Sequence, residues 1–192
     1  MKVVLATRND GKLIEMQELF GPIGWELISQ KALDIDSADE VKHTFAENAL
    51  DKARHVAAIS GLPCIADDSG IVVNALNGAP GIYSARYAGP QRSDADNNAK
   101  LVADLQGKDD RSAHFFCAMV FLEHSEHPGP LIATARWHGQ IVDTPQGSNG
   151  FGYDPHFYLP ELECTSAQLP AEQKNRISHR GQAANQLLQL VR

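Results

Sequence analysis

Residues 1–20 read MKVVLATRNDGKLIEMQELF. Val3-Val4-Leu5-Ala6 is a short β-favouring apolar run, the pattern of a buried strand, and Thr7 to Lys12 is a polar turn. Leu13, Met16, Leu19 and Phe20 then recur at helical spacing. Strand, loop and helix in that order open an α/β unit. Working outward, Gly21-Pro22 breaks the helix, and a polar, acidic stretch runs to Asp39 and Glu40. Thr44-Phe-Ala-Glu47 has the form of a capping box, so a second helix starts there. Phe45, Ala49, Ala53 and Val56 form its inward stripe, while Asn48, Lys52 and His55 share a neighbouring face. Gly61-Leu62-Pro63 stops it. Cys64-Ile65-Ala66 and Ile71-Val72-Val73 are expected as two strands on either side of an acidic turn, Asp67-Asp68-Ser69-Gly70.

Further along, residues 77–89 read as a glycine-rich loop and residues 93–105 as a helix opened by Ser93 and Asp94. His114 to Glu123 and Leu131 to His138 are two long strands, expected to pair antiparallel across a polar loop. Residues 147–155 form a second glycine-rich loop, Phe157-Tyr158-Leu159 a short strand, and the chain from Ser178 a helix with Ala183, Leu187, Leu190 and Val191 inward. The class is α/β, with function on loops held by a sheet.

With 192 residues, 43% hydrophobic and 21% charged, the chain can close a substantial core. A formal net charge of -7 argues against sequence-independent nucleic-acid binding, which draws its affinity from phosphate neutralisation by Lys and Arg. The N-terminal apolar run is too short for a secretory leader, and the longest apolar run, Phe115 to Leu122, is too short to span a membrane. A cytoplasmic protein without membrane partners is the expectation. Cys64, Cys117 and Cys164 form no CxxC pair and read as reduced thiols.

Three segments carry chemistry. Thr7-Arg8-Asn9-Asp10-Gly11-Lys12 lies between a strand and a helix start, where backbone N–H groups attract phosphate and Lys12 adds charge; the alternative is an ordinary turn. It is neither a Walker A loop nor a dinucleotide fingerprint. Asp67-Asp68 with Glu40 repel one another unless a cation or proton relieves them, and Mg²⁺ suits carboxylates completed by a triphosphate. One carboxylate can then take a proton from an attacking water; the alternative is a solvated acidic turn. Gly150-Phe151-Gly152-Tyr153-Asp154-Pro155, Lys174 and Ser178-His179-Arg180 offer an aromatic face for a base and donors for a ring carbonyl, or else serve structure alone.

Taken together, TRNDGK, TFAENALDKA, ADDSG, PGIYSARYAG, GFGYDPHF and EQKNRISHR resemble, in order and across nearly the whole chain, the inosine/xanthosine triphosphate pyrophosphatase family, most closely its bacterial members. The resemblance implies one bilobal domain over residues 1–192, a mixed sheet with flanking helices, two lobes around a nucleotide cleft, and a homodimer. It implies hydrolysis of ITP, dITP and XTP to monophosphate and pyrophosphate with Mg²⁺. By this likeness Thr7, Arg8, Asn9, Asp10, Gly11 and Lys12 are the phosphate loop, Asp68 is proton acceptor and metal ligand, and Glu40 is the other metal acid. Asn48 and Lys52 support the phosphates, Ser69 contacts substrate, Phe151, Gly152, Tyr153 and Asp154 bind the base, and Lys174, His179 and Arg180 complete the contacts. Arg8 stands where the family commonly has a small residue. The rival readings are a Maf-like pyrophosphatase for other nucleotides and a non-catalytic nucleotide binder.

Overall fold

The computed structural model describes residues 1–91 and 93–192. β1 (Lys2–Leu5) leads into α1 (Asp10–Phe20), β2 (Glu26–Ser29), α2 (Phe45–Ser60) and β3 (Cys64–Val73). α3 (Asp94–Asp104), β4 (Ser112–Leu122), β5 (Leu131–Ile141), β6 (Phe157–Leu159) and β7 (Cys164–Thr165) follow, and α4 (Ala171–Ile177) and α5 (His179–Leu190) close the chain. The strands form a 7-stranded sheet in the order β2-β1-β3-β4-β5-β6-β7. β1 is parallel to β2, with Val3 opposite Leu27, and to β3, with Val4 opposite Cys64. β6 is antiparallel to β5 and β7, so the sheet is mixed.

The chain divides into two units. The first comprises Met1–Asp68, Cys117–Ala135 and Gln182–Arg192, and the second Ser69–Phe116 and Arg136–Gly181. β3, β4 and β5 therefore contribute residues to both. In the first core Phe20 stacks on Trp25 at 5.3 Å, Trp25 meets Phe121 at 4.8 Å, and Ala183, Ala184 and Leu187 of α5 are wholly buried. In the second, Phe115 meets Phe157 edge-on at 4.6 Å and Trp137 lies 5.4 Å from Phe157. Side chains of this size each contribute about 1.5–3 kcal/mol when buried.

Several sequence expectations need correction. Asp67 to Gly70 is not a turn between two strands but the middle of one ten-residue strand, β3, with Asp67 and Asp68 buried. β2 was not anticipated; it turns Leu27 and Ser29 inward, just after the buried Trp25, in a segment read only as polar and acidic. The loop of residues 77–89 contains a 3₁₀ helix at Gly81–Arg86. α1 starts at Asp10, earlier than its apolar spacing shows, because Asn9 caps it. In α5 Leu190 is exposed, and Ala184 and Leu188 join Ala183 and Leu187 in the core. Thr44 caps α2 by accepting from Glu47 N at 3.2 Å and donating to Glu47 Oε2 at 2.6 Å.

The three cysteines are free, Cys64 and Cys117 buried, and burial pushes the Cys64 thiol up to about 12 despite a hydrogen bond with the Ala6 backbone. Among the described residues no helix is long and apolar enough to cross a membrane.

Candidate active site

β1 pairs with β3 only as far as Leu5 opposite Ile65. β3 runs on past that point, so Asp67 and Asp68 lie just beyond the C-terminal end of β1, where open α/β sheets place ligands. α1 and α2 bring lysines to them. Lys12 Nζ is 3.0 Å from each Asp67 carboxylate oxygen. Lys52 Nζ is 2.7 Å from Glu40 Oε1, 3.3 Å from Asp68 Oδ1 and donates to the Asp67 carbonyl at 3.0 Å. The three carboxylates are thus drawn together around two ammonium groups.

Burial raises the Asp68 pKa above its ordinary value, and the charges of Glu40 and Asp67 push the same way, while Lys52 and the Asn48 side chain oppose them. Burial works against the Lys52 ammonium, but Asp68, Glu40 and Asp67 outweigh it and raise its pKa. Asn48 is buried and accepts from Lys42 N at 3.0 Å.

The segment Thr7 to Lys12 divides in role. Asn9 Oδ1 accepts from Gly11 N at 2.9 Å and Lys12 N at 3.4 Å, and Thr7 Oγ1 accepts from Asn9 N at 3.1 Å. The amides of Gly11 and Lys12 thus meet the cap of α1. Arg8 pairs with Asp36 at 3.7 Å and Asp10 with Lys31 at 2.8 Å, both at the exposed surface. Lys12 is the residue of this segment whose side chain reaches the carboxylates. On α2, Asn48 and Lys52 lie at the cluster, whereas His55 bonds the Asp36 carbonyl through Nε2 at 2.9 Å.

In the second unit Ser69, Phe151, Gly152, Tyr153, Asp154, Lys174, His179 and Arg180 all line one pocket of about 130 Å³. Asp154 organises it. Its carboxylate accepts from Phe151 N at 2.9 Å and from Ser166 Oγ at 2.8 Å, and it pairs with Lys174. Phe151 is 55% exposed, with Lys174 Nζ 4.9 Å and the Arg180 guanidinium 5.6 Å from the centre of its ring. An exposed aromatic face under two cations suits a flat, electron-rich ring. Arg180 Nη2 donates to Ser69 Oγ at 3.3 Å, and the His179 ring stacks on Phe115 at 4.7 Å with 9° between planes. Ser178 breaks the chain between α4 and α5, which puts His179 and Arg180 in the first turn of α5.

Ser84, Ala85, Asp94 and Phe115 also line this pocket and were not foreseen as functional. Ser84 and Ala85 fall within the PGIYSARYAG segment, to which no role was given, and Asp94 and Phe115 look locally like a helix start and a core strand.

Residues 3–190 match the Ham1 family. A dITP/XTP pyrophosphatase of Nitrosomonas europaea is 53% identical over 99% of this chain and 94% of its own length. One from Neisseria meningitidis is 56% identical over 97% of this chain and 94% of its own. The solved structure of a HAM1 protein from Coxiella burnetii superposes with a TM-score of 0.96 at 45% identity, covering 100% of this chain and 98% of that one.

Proposed function

The chain belongs to the Ham1 family, and from that premise we propose that it hydrolyses the deaminated purine nucleoside triphosphates dITP, ITP and XTP to monophosphate and pyrophosphate. The observation that carries this reading is the grouping of Glu40, Asp67 and Asp68 with Lys12 and Lys52, at distances of 2.7 to 3.3 Å. Among the described residues no three His, Cys, Asp or Glu side chains are placed to hold a metal by themselves; Glu40 and Asp68 supply two hard oxygen donors, which suit a divalent cation whose shell is completed by phosphate oxygens and water. Mg²⁺ is the ion we assign, held by Glu40 and Asp68, where it would polarise the phosphate oxygens and acidify water.

The chain's own residues supply the rest. Asp68, with its raised pKa, takes the proton of the water that attacks the α-phosphorus. Asp67 is engaged through both oxygens by Lys12, so its part is to hold that ammonium. As the bond from the α-phosphorus to the bridging oxygen breaks, the pyrophosphate carries off that oxygen, and Lys12 and Lys52 offset its charge. The base is assigned to the second unit's pocket, stacked on Phe151, with Arg180 and His179 as donors to the six-position carbonyl. Adenine presents an amino donor there and leaves those groups unmatched, a mismatch that discriminates strongly. Removing deaminated nucleotides from the precursor pool is the role this activity fills. The homodimer implied by the family likeness belongs to the same reading, and sedimentation velocity measures it.

The test is pyrophosphate release from dITP, XTP, ITP, GTP, ATP and dUTP, each with Mg²⁺ and with EDTA. Metal-dependent turnover concentrated on the first three is expected. Preference for a pyrimidine, or turnover untouched by EDTA, overturns the assignment.

A further inference from the structure

α3 holds both walls of the base pocket. Asp94 Oδ2 accepts from Gly152 N at 2.7 Å, and Asn98 Nδ2 donates to Gly152 O at 2.8 Å, from 58 and 54 residues away in the chain. Four residues apart on one helix, the two side chains share a face and grip both backbone polar groups of a single glycine. The adjacent Asn97, 2% exposed, accepts from Ala88 N at 2.7 Å and donates to Ala85 O at 3.2 Å, fixing the opposite wall. Tyr153 Oη then donates to Ser84 O at 2.7 Å and ties one wall to the other.

Gly152 has φ +61°, and a Cβ there would meet nothing within 4 Å. With no side chain of its own to restrict it, its backbone takes the direction that its hydrogen bonds impose. That direction sets the height and tilt of the neighbouring Phe151 ring. Asp154 restrains the loop from inside by accepting from Phe151 N, and Asp94 and Asn98 restrain it from α3.

We infer that Asp94 and Asn98 are positioning residues for base selection: by clamping Gly152 they fix the Phe151 platform at the height where the Arg180 and His179 donors meet a six-position carbonyl. The inference rests on the substrate reading given above. Loosening the clamp weakens a bond that hypoxanthine makes and adenine never made, so the two bases respond unequally.

The experiment measures kcat and KM for dITP and dATP in the wild-type enzyme and in Asp94→Ala, Asn98→Ala and Asp94→Asn, with a thermal melt of each. For Asp94→Ala and Asn98→Ala, kcat/KM for dITP is expected to fall roughly tenfold, about one hydrogen bond, with the loss in KM. The value for dATP changes little. Asp94→Asn, which keeps an acceptor for Gly152 N, recovers most of the loss. Equal losses for both nucleotides, a loss in kcat alone, or wild-type selectivity in the alanine variants overturns the clamp. The wild-type row separately tests the substrate reading, since absence of dITP turnover there sinks that reading whatever the variants do.

Discussion

Asp68 sits in the folded chain at a disadvantage that its chemistry explains. Its pKa is raised by burial and by Glu40 and Asp67, so the ionised carboxylate is less favoured in the folded than in the unfolded chain. The stabilising effect of a raised carboxyl pKa is complete below the unfolded value and is lost as pH rises through the folded one. At neutral pH the charged group is therefore a net cost. Asp68→Asn is expected to lower kcat by about 10²–10⁴-fold, the worth of a general base, while the thermal midpoint at neutral pH stays level or rises. Calorimetry alongside the turnover assay checks both halves, and a clear fall in the midpoint would contradict the electrostatic account. Lys52 is the opposite case. Its pKa is raised, so its contribution is complete through neutral pH and is lost only as pH climbs through its alkaline folded value. Lys52→Met leaves buried carboxylates uncompensated and should cost about 3–5 kcal/mol. Because the carboxylates then repel one another when ionised, the deficit should shrink toward acid pH, and urea titrations at two pH values would show it.

At the scale of elements, the junction of α4 with α5 aims the residues proposed to meet the base. A Cβ on Gly181 would come 1.7 Å from the Asn175 carbonyl oxygen, so the two helices meet at a distance only glycine allows. Gly181→Ala is expected to raise KM for dITP severalfold by displacing His179 and Arg180, and to lower the thermal midpoint. An unchanged KM would mean that the junction relaxes without moving them. The sequence announced His179, Arg180 and Lys174 through a motif, and the cluster of Glu40, Asp67 and Asp68 through charge. It did not announce β2, where Leu27 turns inward beside Glu26 and just after the buried Trp25, nor the continuity of β3. Two adjacent aspartates suggest a turn when read alone, and it is the lysines of α1 and α2, with Asn48, that help make them tolerable inside a strand. The contacts of Asp94, of Asn98 and of Ser84, which lies within PGIYSARYAG, were illegible for a related reason. Their partners lie on a loop more than fifty residues away, and local patterning carries no trace of that meeting.

Across the whole molecule, neither unit is a continuous stretch of chain. The first is assembled from three segments and the second from two, and β3, β4 and β5 lend residues to both. Its first core depends on the last of those segments, since Ala183, Ala184 and Leu187 are all fully buried among residues that include Val3, Phe20 and Met119. Leu187→Ala removes a buried branch at that point and should cost about 2–5 kcal/mol. A strand cannot remain ordered in one core while its continuation dissolves in the other without exposing its backbone partners, so the loss should reach both units. Each core holds one tryptophan, Trp25 in the first and Trp137 in the second, which gives a reporter for each. Denaturant titrations of Trp25→Phe and Trp137→Phe enzymes, with and without Leu187→Ala, are expected to show the two fluorescence midpoints shifting together. If Leu187→Ala moved only the Trp25 signal, the shared strands would not be coupling the cores, and the two units would have to be treated as separately folding bodies.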